Sequence, residues 1–143
     1  MRSLRDMTAT LSRSHTFSDS TDSLLRFAMR VDATLTGVLG LGIAVMADPL
    51  SRLTGLTAVD EYLVGAAFVF CGLVVYALAA APDLRRVGIA TAISNGLGTA
   101  ALLAVVATEA LPLTTFGVVS TLAASLYTAT FAVLQYLGVR RLA

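Results

Sequence analysis

The sequence predicts an all-α fold, a polytopic membrane bundle of four spanning helices. Two observations carry that reading. The chain is 57% hydrophobic and only 13% charged, with a mean hydropathy of +0.82. A soluble domain carries about 25% charged residues, so this chain has too few polar groups to cover a water-facing surface. Second, the arginines are strongly asymmetric about the apolar segments. Arg2, Arg5, Arg13, Arg26, Arg30, Arg85, Arg86, Arg140 and Arg141 fall on one side of the predicted membrane, and Arg52 alone on the other. The positive-inside rule then places both termini in the cytoplasm and the protein in the inner (plasma) membrane.

Residues 1–23 are rich in Ser and Thr with interspersed charges, and no apolar stripe persists through them. Such a segment buries too little to offset the entropy of ordering, so it reads as a flexible, solvated cytoplasmic tail. His15 lies within it and is expected to be solvated. Met7 is an alternative start, and no cleavable signal is expected.

Residues 24–143 form the predicted transmembrane domain, with spans at about 24–47, 60–80, 84–107 and 113–138. The uncharged part of the first span, residues 33–47, is shorter than the roughly 20 residues a crossing needs. The helix must therefore take in Arg30 and Asp32. A long Arg can snorkel to the headgroups, but Asp is too short to do so. Asp32 is expected to face other helices or water. Asp48-Pro49 should end the span, with residues 49–55 forming a turn or interfacial helix stopped by Gly55. Thr57 and Asp60 have the spacing of a capping box that opens the second span. Residues 81–83 close it and cap the third, and residues 108–112 lead to the fourth. Strands are excluded because each backbone polar group must be satisfied inside its own segment in hydrocarbon.

Small residues recur at helical spacing. Gly88, Ala92, Gly96 and Ala100 mark one face of the third span, and Gly37 and Gly40 belong to such faces on the first. These are read as helix-packing faces, where backbones approach closely. The glycines of the first span follow no strand, so a nucleotide-binding loop is excluded.

The two halves echo one another. At an offset of 63, positions 32–68 match positions 95–131 at nine places, including Thr36/Thr99 and Pro49/Pro112. Such an echo implies two parallel two-helix repeats related by an axis along the membrane normal. That axis would bring Asp32 and Asn95 to equivalent depths, where they could hydrogen-bond.

The candidate polar site is Arg30, Asp32, Asn95 and Thr99, with Thr121, Ser125 and Thr128 from a stripe on the fourth span that also includes Gln135. Intramembrane acids are rare, so Asp32 reads either as a structural pair or as a proton- or cation-responsive carboxylate. The lone Cys71 excludes an intrachain disulfide and a multi-cysteine metal site. No Ser-His-Asp set, HExxH or paired carboxylate appears, so neither catalysis nor a metal or other cofactor is expected.

The Arg-rich tail and the Arg30-Val31-Asp32 entry to the first span resemble the small uncharacterised four-span integral membrane proteins of GC-rich bacteria. The span count is also similar to that of DoxX-like proteins and small multidrug-resistance transporters. Two functions follow as expectations. One is a non-enzymatic subunit or scaffold packed against other membrane helices. The other is a small-solute or proton-coupled carrier using Asp32. The partners expected are the lipid bilayer and other membrane helices, in a homo- or hetero-oligomer, and no nucleic acid.

Overall fold

The computed structural model describes the backbone of residues 4–142 and the side chains of residues 22–142. Five helices follow in order: α1 (Leu4–Val45), α2 (Ala47–Thr54), α3 (Ala58–Leu78), α4 (Leu84–Ala107) and α5 (Thr115–Arg140). No strand occurs among the described residues. Four helical segments are long and apolar enough to cross a membrane: Asp22–Val45 of α1, and α3, α4 and α5.

Burial runs opposite to that of a water-soluble bundle. Phe27, Phe70, Leu73 and Leu126 are each about two-thirds exposed, whereas Asp32, Glu61 and Gln135 are almost wholly enclosed. Large contiguous apolar surface is unfavourable in water. In lipid it matches the solvent, and the polar groups are the ones that must turn inward.

Two close helix pairs build the bundle. In the first, α1 lies along α3 through facing glycines. A Cβ added at Gly65 would stand 2.6 Å from the carbonyl oxygen of Gly40, and one added at Gly72 would stand 2.6 Å from that of Ala33. Gly65 and Gly72 are seven residues apart, two turns, so they share a face of α3. In the second pair, α4 lies along α5 and the hydroxyls of Thr99 and Thr128 meet at 2.8 Å. The pairs contact each other at both ends and in the middle. At one end Leu25 fills the space beside Gly88, Gly138 and Val139. At the other, Thr114 donates its backbone N–H to the Thr54 carbonyl at 2.9 Å and its hydroxyl to that of Leu53.

Local chemistry sets the element ends. Asp48-Pro49 does not terminate α1. The helix breaks at Met46, and Pro49 sits in the first turn of α2. A proline is tolerated there because first-turn N–H groups have no intrahelical acceptor. Gly55 then caps α2 in the left-handed region, at φ 89°. The Thr57 hydroxyl accepts from the Asp60 N–H while the Asp60 carboxylate accepts from the Thr57 N–H, both at 3.1 Å, which forms the capping box of α3. Asp83 and Thr114 cap α4 and α5 in the same manner with one bond each, at 3.2 and 3.1 Å.

The helical backbone begins at Leu4, where the sequence predicts a flexible tail. Extending an existing helix costs far less than nucleating one, and the first span supplies the nucleus. The environment expected for His15 lies outside the described side chains.

Candidate functional site: a buried carboxylate between the helix pairs

Asp32 is the centre of the polar interior. It is 4% exposed and receives side chains from three helices. Asn95 of α4 donates its Nδ2 to Oδ2 at 2.9 Å, and Gln135 of α5 donates its Nε2 to the same oxygen at 2.7 Å. Tyr127 of α5 donates to Oδ1 at 3.0 Å, and Thr36, one turn along α1, lies 3.3 Å from that oxygen. An ionised carboxylate offers about four lone-pair sites. All four are occupied.

Cross-links tighten the cluster. Asn95 Nδ2 also reaches Gln135 Oε1 at 3.1 Å, and the hydroxyls of Thr36 and Tyr127 lie 3.2 Å apart. The Tyr127 hydroxyl is also 3.1 Å from the backbone carbonyl of Asp32. The Tyr127 ring leans on Phe131, with centroids 4.8 Å apart. Gln135 is fully buried. The helices place these groups by register: Tyr127, Phe131 and Gln135 are spaced by four and line one face of α5.

The structure brings Asp32 and Asn95 together and leaves other predicted site residues apart. Arg30 is exposed and makes no hydrogen bond or ion pair among the described residues. Two positions from Asp32, it points to a different face of α1. Arg26 instead ties α1 to the end of α3, donating Nη1 to the carbonyls of Ala79 at 2.7 Å and Ala81 at 3.1 Å. Thr99 bonds the Asn95 carbonyl at 2.9 Å and Thr128, so it supports the cluster from one turn away. Thr121 and Ser125 turn their hydroxyls back onto the carbonyls of Gly117 and Leu122, both at 2.8 Å, and do not reach Asp32. Thr128 likewise bonds the Ser125 carbonyl at 3.0 Å.

The packing residues divide in the same way. Gly40 is buried against α3, and Gly88 against Leu25 and Val139. The backbone of Gly37 abuts Gly72, although its own Cβ direction is open. Ala92 is half-buried. Gly96 and Ala100 are exposed, and a Cβ on Gly96 would meet nothing within 4 Å. The spacing of small residues along α4 is real, but the helix turns only its first two turns of that stripe toward the bundle. Sequence reasoning missed Tyr127, Gly65 and Gly72. Their signals were the four-residue spacing of Tyr127 to Gln135 and the seven-residue spacing of the glycines.

A second buried acid lies at the opposite end. Glu61, 4% exposed, accepts from the Thr54 hydroxyl at 2.5 Å. No group of three or more His, Cys, Asp or Glu side chains able to hold a metal occurs among the described residues. No family model matches the chain, and neither a curated protein nor a solved structure shows significant similarity to it.

Proposed function

We propose that this integral membrane protein is a non-enzymatic subunit or scaffold of a membrane assembly. The observation that carries the reading is the saturation of Asp32. Its four acceptor sites are filled by Asn95, Gln135, Tyr127 and Thr36, and its exposure is 4%. A carrier carboxylate must exchange partners with solute, proton or water during each cycle. A carboxylate held by donors from α1, α4 and α5 instead fixes the two helix pairs in one register. Buried polar groups that are completely satisfied rigidify and specify an arrangement.

The outer flank of α4 supports the same reading. Gly96 and Ala100 are exposed there, four residues apart, and allow another helix to approach closely. We place both termini in the cytoplasm and the protein in the plasma membrane. Among the described residues, Arg26, Arg30, Arg85, Arg86, Arg140 and Arg141 gather at one end, and Arg52 alone lies at the other, with Asp48, Asp60, Glu61 and Glu109. Resemblance to DoxX-like or small multidrug-resistance proteins enters this proposal through span number alone.

The test is cross-linking in native membranes followed by purification in mild detergent. A single cysteine placed at Ala100, in a protein with Cys71 replaced by Ser, should trap a partner chain of defined mass. Proton-linked solute uptake by reconstituted protein, abolished in Asp32→Asn, would overturn the proposal in favour of a carrier.

A further inference from the structure

We infer that the arginine-rich end of α1 holds the phosphodiester headgroup of an anionic phospholipid, with Arg30 as its principal contact. The first spanning helix breaks at Met46, and the polar, charged α2 begins at Ala47. A hydrocarbon core roughly 30 Å thick takes about 20 helical residues. Counted back from Ala47, that crossing is complete near Phe27. Arg30 therefore stands about one turn inside the hydrocarbon.

Its surroundings do not neutralise it. Arg30 is exposed and has no acid partner among the described residues. The nearest acid in sequence, Asp32, is consumed by Asn95, Gln135, Tyr127 and Thr36. A lipid-facing guanidinium at this depth must snorkel outward or recruit an anion.

The shape beside it suits a lipid. An open depression of about 680 Å³ is lined by Ser23, Leu24, Arg26, Phe27 and Arg30. Arg26 and Arg30 are one turn apart on one face of the helix. Arg26 is already held by the carbonyls of Ala79 and Ala81, so its guanidinium is fixed at the rim. Toward the bilayer centre from Arg30, Val38 and Leu41 are 65% and 60% exposed and supply an apolar floor. Two guanidiniums above an apolar floor match a phosphodiester carrying acyl chains. Guanidinium is the cation best suited to phosphate, through bidentate hydrogen bonds. A free phosphate would use the arginines and leave Val38 and Leu41 unused. The side of the bundle also agrees, since Arg85, Arg140 and Arg141 raise the positive potential at the same end.

Native mass spectrometry of the full chain, in detergent doped with equal phosphatidylglycerol and phosphatidylcholine of matched acyl chains, tests the inference. Wild type should retain phosphatidylglycerol preferentially. Arg30→Gln should lower that preference about fivefold, the effect of one juxtamembrane cation at an anionic surface. Arg86→Gln, which removes an exposed arginine already paired with Asp83, should leave it unchanged. Arg30→Lys should keep part of it. Soluble glycerol 3-phosphate at millimolar concentration should not displace the lipid; displacement would show a phosphate site without a lipid floor and overturn the assignment. Equal retention of the two lipids by wild type, or equal phosphatidylglycerol preference in Arg30→Gln and wild type, would also overturn it. If Arg30→Gln does not accumulate, wild-type melting decides. A higher Tm in phosphatidylglycerol than in phosphatidylcholine supports the site, and equal Tm values reject it.

Discussion

Gly40 and Gly65 meet backbone to backbone where α1 crosses α3. A Cβ on Gly40 would lie 2.6 Å from the Gly65 carbonyl oxygen and 2.8 Å from the Val69 nitrogen. A Cβ on Gly65 would lie 2.6 Å from the Gly40 oxygen and 2.7 Å from the Ala44 nitrogen. These neighbours are main-chain atoms and cannot rotate away. Overpacking in a well-packed core costs about 1–3 kcal/mol or more. Gly65→Leu should therefore lower the detergent melting temperature sharply. Gly96→Leu, on the open side of α4, should leave the isolated protein almost unchanged and weaken only its association with a partner helix. Equal melting losses would mean that α4 presents Gly96 to the bundle.

That contrast shows what the sequence can carry. Hydropathy places all four spans, and the predicted third span coincides with α4, Leu84–Ala107. Capping residues Gly55, Thr57 and Asp60 act locally, so their geometry is legible residue by residue. The 63-residue echo placed Asp32 and Asn95 at equal depth, and they lie 2.9 Å apart. The rotation of each helix about its own axis is another matter. A small-residue stripe on α4 is compatible with several rotations, because lipid and protein select similar apolar side chains. Only Gly88 and its near neighbours turned inward. Tyr127 meets the same limit: its four-residue spacing to Phe131 and Gln135 marks a face of α5 but not the direction in which that face turns. Nothing in its local sequence says that it faces Asp32 rather than lipid.

Arg26 holds the end of α3 by side chain rather than by a glycine cap. Its Nη1 donates to the Ala79 and Ala81 carbonyls at 2.7 and 3.1 Å. Helix C-terminal carbonyls lack intrahelical partners and favour a positive charge. Hydrogen bonds to charged groups contribute about 1.5–3 kcal/mol. Arg26→Ala should lower stability by that amount, and Arg26→Lys should recover part of it through charge alone. Thermal unfolding followed by circular dichroism in detergent reads both. If Arg26→Ala unfolds at the wild-type temperature, the bond does not support α3.

Glu109 is the only non-glycine residue with positive φ among the described residues, at 50°. It follows Thr108, the C-cap of α4, where glycine is the residue most often found. Left-handed backbone costs an L-residue about 1–2 kcal/mol. Part of that is returned on substitution by the greater unfolded-state entropy of glycine. Glu109→Gly should raise the melting temperature slightly, by the equivalent of about 0.5 kcal/mol. A clear fall in melting temperature would mean that the Glu109 side chain contributes to the α4–α5 link.

Asp32 gives the sharpest test because its partners differ in what they can exchange. Asn95 and Gln135 present N–H groups to Oδ2, which can only be met by an acceptor. Tyr127 and Thr36 present hydroxyls to Oδ1, and a hydroxyl can accept as readily as donate. Asp32→Asn can therefore keep its carbonyl oxygen toward the two amides and turn its NH2 toward the hydroxyls. Every group stays satisfied, and the expected loss is about 1 kcal/mol. Asp32→Leu leaves the amide donors of Asn95 and Gln135 with fewer acceptors in a buried space, each unsatisfied group costing about 1–3 kcal/mol. It should accumulate poorly or melt far below wild type. Asp32→Leu combined with Asn95→Leu and Gln135→Leu removes both donors with the acceptor and should recover much of the loss, if the enlarged side chains fit. Melting temperatures of the four proteins in one detergent decide the matter. Should Asp32→Asn fall as far as Asp32→Leu, the negative charge itself is required, and a network of satisfied hydrogen bonds does not account for the burial of Asp32.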